Sequence, residues 1–220
     1  TDPMDSVSPT VSSEALLITL IIDAMEKRDV ATCDIPGAFL HADIDEFTLI
    51  VADGELVDLL IKSNPKYAEF VHVTKAGKKV VYLQLEKALY GTVKAARLFF
   101  DNLTSTLSDM GFKPNPYDIC VMSKTISGSQ CTIAWHVDDL KISHKDPEIV
   151  MKIIKDIEKT YGDMTVCRGN KHTYVGMNII FPGNGTVKID MRSYLQDAID
   201  SFSEILPNKD IGSPATLNLF

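Results

Sequence analysis

Cys131-Thr132-Ile133-Ala134-Trp135-His136-Val137-Asp138-Asp139-Leu140-Lys141-Ile142-Ser143 is the stretch whose reading decides the fold. Two apolar runs of strand-like composition meet at an Asp pair, which reads as a tight β-hairpin with two carboxylates at its tip. Like charges this close raise each other's pKa and destabilise the fold. A bound divalent cation relieves that, and a hard cation such as Mg²⁺ prefers carboxylate oxygens. An Asp-Asp turn also arises from turn chemistry alone, because Asp hydrogen-bonds its own backbone in turns. A third carboxylate, Asp34, ends a second strand-like run, Val30-Ala31-Thr32-Cys33. Two strands delivering carboxylates to one point would make a two-metal site of the kind used for in-line phosphoryl transfer. On its own, Asp34 reads equally as a strand-terminal residue capping the turn before Pro36.

Working outward, Ser12-Ser13-Glu14 offers N-cap chemistry for a helix. Leu16, Leu17, Leu20, Ile21 and Ala24 then recur at helical spacing as its inward face. Pro36-Gly37 breaks the chain after the first strand. Residues 45–86 are the least regular stretch, with a short edge strand from Phe47 to Val51, two short helices and a hairpin over His72–Leu85. An amphipathic helix spans Val93 to Met110, with Leu98, Phe99, Leu103 and Leu107 inward and Gly111 as its C-terminal cap. Ile119 to Thr125 reads as a strand. Asp146-Pro147 opens a helix that runs to Tyr161. Tyr174 to Phe181 and Val187 to Asp190 read as a final hairpin, and Ser193 to Phe202 as a last helix. This order predicts an α+β plan, with an antiparallel ferredoxin-like βαββαβ sheet and helices on one face, that brings Asp34 to Asp138 and Asp139.

The chain has 220 residues, 45% hydrophobic and 24% charged, the balance of an ordinary globular protein with a sizeable core. No apolar run reaches the ~18–20 residues needed to cross a bilayer, so no membrane partner is expected. The polar N-terminus lacks a secretory signal, and Thr1-Asp2-Pro3-Met4 reads as a fragment boundary. Cys33, Cys120, Cys131 and Cys167 lack zinc-site spacing and read as reduced core thiols of an intracellular protein. The net charge of −8 argues against a simple nucleic-acid-binding module. Most of the acid is N-terminal: residues 1–60 carry 13 acidic and 2 basic side chains, residues 61–220 carry 17 and 20.

Four motifs now fall into a known order. Cys33-Asp34-Ile35-Pro36-Gly37-Ala38-Phe39-Leu40 resembles the first catalytic motif of copia-type retrotransposon reverse transcriptases. Leu89-Tyr90-Gly91-Thr92-Val93-Lys94-Ala95-Ala96-Arg97 resembles their Leu-Tyr-Gly-Leu-Lys-Gln-Ala-Pro-Arg motif. His136-Val137-Asp138-Asp139 resembles their Tyr-Val-Asp-Asp box, and Tyr174-Val175-Gly176-Met177 their primer-grip segment. His136 stands where the family has Tyr, and Ala96 where it has Pro. The set covers roughly residues 10–205. Each motif alone is weak; the ordered set is specific.

The resemblance implies a polymerase palm over 12–44 and 87–190, a fingers-like insertion over 45–86, an extended or disordered leader over 1–11, and a C-terminal helix over 191–220 that starts a thumb or tail. It implies that the chain begins after the basic fingers segment of the family. The implied activity is templated DNA synthesis: two-metal nucleotidyl transfer from a dNTP to a primer 3′-hydroxyl on an RNA or DNA template. Asp34, Asp138 and Asp139 would hold two Mg²⁺ ions, with Mn²⁺ as substitute and the Ile35 carbonyl as a further ligand. Asp139 would be the weaker ligand. Phe39 would be a steric gate against the ribose 2′-hydroxyl. Gly91, Lys94 and Arg97 would contact template or nucleotide, and Tyr174, Val175, Gly176 and Met177 the primer. Implied partners are template–primer, dNTP, and the rest of the retroelement polyprotein, including fingers and ribonuclease H, in a cytoplasmic particle or the nucleus. Two other readings stand beside it: a catalytically silent palm fragment that only binds nucleic acid or a partner, and a metal-dependent phosphohydrolase. The latter leaves Phe39, Gly91 and the primer-grip segment without a role.

Overall fold

The structure is a computed structural model that describes residues 8–44 and 46–202. The first seven residues of the expected leader and the end of the expected tail, 203–220, lie outside the described residues. Element order is α1 (Ser13–Met25), β1 (Asp29–Asp34), β2 (Leu49–Asp53), α2 (Glu55–Ser63), β3 (His72–Val73), β4 (Lys79–Gln84), α3 (Ala95–Asp109), β5 (Lys113–Pro114), β6 (Val121–Ile126), β7 (Ser129–His136), β8 (Asp139–His144), α4 (Pro147–Tyr161), β9 (Thr165–Arg168), β10 (Lys171–Tyr174), β11 (Met177–Ile180), β12 (Lys188–Asp190) and α5 (Arg192–Asp200). Short 3-10 turns occupy Ala38–His41 and Pro65–Phe70.

The fold is mixed α/β with antiparallel sheets. The main sheet has the order β5-β6-β7-β8-β1-β9. Two three-stranded sheets, β10-β11-β12 and β2-β4-β3, flank it. β7 and β8 are the expected hairpin, paired from His136↔Asp139 to Thr132↔Ser143. Side chains alternate across a strand, so Trp135, Leu140 and Ile142 share one face, while Ala134, Lys141 and Ser143 share the other. On the first face, Phe100 of α3 meets Trp135 with ring centroids 6.0 Å apart. Helix α4 packs beside α3, where Tyr161 lies 6.0 Å from Phe99 and donates to Asn102 Oδ1 at 2.7 Å.

Helix α1 covers the opposite face. Its buried stripe is Leu16, Thr19, Leu20, Asp23 and Ala24. Leu17 and Ile21, expected inward, are exposed. The helix is apolar almost all round, so spacing could not fix its rotation. A buried ion pair between Asp23 and Lys141 of β8 does, reinforced by Arg28 donating to Thr132 Oγ1 at 2.9 Å. The expected C-terminal role of Lys27-Arg28 also changes: the helix stops at Met25, and Arg28 turns inward beside Asp23.

Three further expectations are corrected. The strand after α4 that joins the main sheet is β9, not the Tyr174 segment. Tyr174 to Phe181 is not one strand: a two-residue turn at Val175-Gly176 splits it into β10 and β11. Both turn residues have positive φ, 47° and 73°, as in the tight turns that suit hairpin twist. Cys167 is exposed on edge strand β9, whereas Cys33, Cys120 and Cys131 are core, with burial raising each thiol to about 12. At the other end, Gly111 caps α3 as expected, with φ 86° and the Gly111 N–H donating to the Ser108 carbonyl at 2.8 Å. Val11 is buried, with its N–H on the Trp135 carbonyl at 3.2 Å.

Candidate active site

The register of β1 against β8 places Asp34 directly opposite Asp139 at the open end of the main sheet. Asp138 follows in the β7–β8 turn, and its backbone carbonyl accepts from the Ile35 N–H at 3.2 Å. Residues 104 and more positions apart in sequence thus share one strand end. All three carboxylates are half-buried. The turn carries backbone strain: Val137, a β-branched residue, sits at φ 58°. Tyr174 braces the hairpin from below. It is buried, and its hydroxyl donates to the Asp139 carbonyl at 3.1 Å and to the Ala134 carbonyl at 3.3 Å.

The electrostatics are those of crowded acid. Asp139 is held above the usual carboxylate range by burial first, then by the charges of Asp138 and Asp34, with His136 opposing. Among the described residues, no Lys or Arg forms an ion pair with any of the three. An all-oxygen donor set short of positive charge suits a hard divalent cation. Among the described residues, no three His, Cys, Asp or Glu side chains already converge as a ready metal cage. One oxygen of Asp138 is instead engaged by Tyr90, whose hydroxyl donates to Asp138 Oδ2 at 3.2 Å.

Phe39 lies next to these groups on the 3-10 turn that Gly37 opens at φ 63°. Its ring is buried, stacked on Tyr90 with centroids 4.1 Å apart and planes 29° apart, and tilted against Phe99 at 6.1 Å. Ile35 is fully buried beneath the turn. Gly91 follows Tyr90 at φ 90°, and among the described residues beyond its chain neighbours no atom lies within 4 Å of where a Cβ would project. A side chain there is disfavoured by backbone conformation rather than by a protein neighbour.

The remaining expected contacts sit further out. Lys94 caps the start of α3 and donates to Glu46 Oε2 at 3.1 Å. Arg97 pairs with Asp101 one turn on at 2.9 Å and lies over the Phe100 ring. Val175-Gly176 forms the β10–β11 turn, with Tyr194 of α5 3.1 Å from where a Cβ on Gly176 would stand. Met177 begins β11, half-buried against the main core. So Asp34, Ile35, Phe39, Asp138 and Asp139 are gathered at one strand end, with Tyr174 anchored under it, while Lys94 and Arg97 are already engaged by carboxylates. The residue that sequence reasoning passed over is Tyr90. It links Phe39 to Asp138, and the only signal was its place in the motif before Gly91.

The reverse transcriptase (RNA-dependent DNA polymerase) family matches residues 1–214. Among curated relatives, the chain is 28% identical over 174 residues to the retrovirus-related Pol polyprotein from transposon TNT 1-94 of Nicotiana tabacum, covering 79% of this chain and 12% of that protein. It is 24% identical over 172 residues to a putative transposon Ty5-1 protein of Saccharomyces cerevisiae, covering 78% and 49%. A third relative is the transposon Ty1-BR Gag-Pol polyprotein of the same yeast, 24% identical over 221 residues and covering 97% and 11%. The chain therefore spans half or less of each of these relatives. A solved apo telomerase from Candida tropicalis aligns over 85% of this chain and 38% of that one, with a TM-score of 0.47 and 16% identity. The chain belongs to the reverse transcriptase (RNA-dependent DNA polymerase) family, in its copia-type branch.

Proposed function

We propose that this chain is the palm of a copia-type reverse transcriptase and performs templated DNA synthesis, joining a dNTP to a primer 3′-hydroxyl on an RNA or DNA template. The observation that carries the reading is the register that sets Asp34 opposite Asp139, with Asp138 in the adjoining turn. The order β7-β8-β1-β9, with α3 and α4 as the two crossovers, supports a ferredoxin-like palm built from 12–44 and 87–190. The β2-β4-β3 sheet and α2 fit a fingers-like insertion over 45–86.

Asp34 and Asp138 are the principal ligands for two Mg²⁺ ions, with Asp139 weaker and the Ile35 carbonyl as a further donor. Bound there, the ions would supply Lewis acidity to the primer hydroxyl and neutralise charge on the triphosphate and the departing pyrophosphate. The chain's own contribution is placement. Strands β1 and β8 fix the carboxylates, Tyr174 holds the hairpin rigid, and the Phe39 ring crowds a ribose 2′-hydroxyl while admitting a deoxyribose. Gly91, Lys94 and Arg97 lie along the template and nucleotide side, where Lys94 and Arg97 exchange their present carboxylate partners for phosphate. The Val175-Gly176 turn is the primer-facing part of its segment, since Tyr174 is buried. The remaining segments of the polyprotein are the natural partners.

Primer extension on RNA and DNA templates with Mg²⁺ and then Mn²⁺, wild type beside Asp138→Asn, tests this. The variant is expected to lose roughly a thousandfold or more in incorporation, the size of several kcal/mol of metal-dependent stabilisation, with its melting temperature at or slightly above that of wild type. Retained incorporation refutes the site. Absent incorporation in wild type, on either metal, favours a catalytically silent palm.

A further inference from the structure

We propose that Tyr90 is a positioning residue that ties the Asp138 carboxylate to the Phe39 ring, so that metal binding and sugar discrimination share one mechanical link. The inference rests on the proposed metal site and deepens it. Tyr90 does two things at once. Its hydroxyl donates to Asp138 Oδ2 at 3.2 Å, across 48 residues of sequence. Its ring stacks on Phe39, with centroids 4.1 Å and planes 29° apart.

The two contacts differ in kind and can be cut separately. A carboxylate has room for a metal on one oxygen and a hydrogen bond on the other. A donor on the second oxygen fixes the direction in which the first one points. Outer-shell donors of this sort hold ligating carboxylates in place, and their loss typically weakens metal binding about 10–100-fold. Asp138 needs such a guide, because it sits in a two-residue turn beside the strained Val137. It is also pushed by two neighbouring carboxylates, Asp34 and Asp139. On the other side, the Phe39 ring tilts against Phe99 and stacks on the half-exposed Tyr90. A ring that must exclude a single hydroxyl needs its outer neighbour to stay put, and an aromatic stack supplies that more firmly than a flexible aliphatic chain.

Tyr90 is 51% exposed, so its replacement leaves the core intact. Tyr90→Phe removes the hydroxyl and keeps the stack; Tyr90→Leu removes both. The readouts are Mn²⁺ affinity, from the electron paramagnetic resonance signal of the free ion, and the ratio of deoxynucleotide to ribonucleotide incorporation. Tyr90→Phe is expected to raise the Mn²⁺ Kd about tenfold with the sugar ratio unchanged. Tyr90→Leu is expected to raise Kd as much and also to lower the sugar ratio. Unchanged or tighter Mn²⁺ binding in Tyr90→Phe overturns the positioning role. A sugar ratio in Tyr90→Leu equal to that in Tyr90→Phe overturns the link to Phe39. Asp138→Asn is the control that separates the two levels. If wild type binds no Mn²⁺, or Asp138→Asn binds it undiminished, the metal site itself fails and the coupling falls with it. If Asp138→Asn is defective while Tyr90→Phe is not, the positioning role of Tyr90 fails and the metal site stands.

Discussion

The main sheet and the β2-β4-β3 sheet are made of similar residues and held very differently. Strands β1, β7 and β8 are covered on both faces, by α3 and α4 on one and α1 on the other. Their core runs from Leu16 of α1 to Ile157 of α4 and contains Trp135, Phe99 and Leu103. The smaller sheet and α2 bury just Ala52, Val57, Val80 and Val81 among the described residues, with α2 on one side. Its other face leaves Leu49, Val51 and Tyr82 at least half exposed. Apolar composition alone therefore does not make a rigid platform; coverage does. The half-buried carboxylates, which need fixed geometry, stand on the sheet covered twice. The sheet with fewer buried apolar contacts is expected to open more readily.

The comparison breaks most visibly at the α1 face. Lys141 and Asp23 are both fully buried, so Lys141→Met leaves Asp23 with only the more distant Arg28, 3.9 Å away, and is expected to cost about 3–5 kcal/mol. That corresponds to a fall of roughly 10 °C or more in melting temperature for a domain of this size. The double variant Asp23→Leu/Lys141→Met should recover much of the loss. A single variant as stable as the double would mean that the pair does not hold α1 to the sheet.

A smaller effect sharpens the contrast. Val81→Ala in the small sheet should cost about 2 kcal/mol locally. Amide exchange should then quicken across residues 49–84, while amides of β1, β7 and β8 keep their protection. A uniform loss across both sheets would contradict separate rigidity.

The smallest effect lies at the join between the main sheet and the β10-β11-β12 sheet. His172 is buried, with Nδ1 3.2 Å from Thr32 Oγ1 and Nε2 2.9 Å from the Gly169 carbonyl. Burial holds its pKa below the usual histidine value. The folded chain keeps it neutral, while the unfolded chain takes up a proton below about pH 6.5. Stability is therefore present above that pH and is lost as pH falls from about 6.5 toward the folded value. The melting temperature should drop by a few degrees on going from about pH 7.5 to 5.5, and by less in His172→Gln. Equal drops would remove His172 as the source.

Much of this arrangement was legible in the sequence. The β7–β8 hairpin announced itself by β-branched runs closing on two aspartates, and Asp34 by its place at the end of a strand before Pro36-Gly37. Helices α3 and α4 followed from spacing and caps. What was hidden had physical reasons. The rotation of α1 was set by a buried ion pair that no apolar periodicity records. Strand β9 is four residues long and largely exposed, so no alternation marks it. The split between β10 and β11 was concealed because Tyr-Val-Gly-Met reads as continuous strand, and Val175 tolerates a left-handed φ only because the hairpin demands it. Tyr90 escaped because its partner Asp138 is brought near by the sheet and not by the chain.

The central claim is that the strand register, rather than sequence proximity, assembles the site. Asp34→Asn tests it most directly, in single-nucleotide primer extension beside wild type and Asp138→Asn. The account predicts that Asp34→Asn abolishes incorporation as fully as Asp138→Asn, with the melting temperature at or slightly above that of wild type, since one repelling charge is gone. Incorporation by Asp34→Asn at the wild-type rate would contradict it.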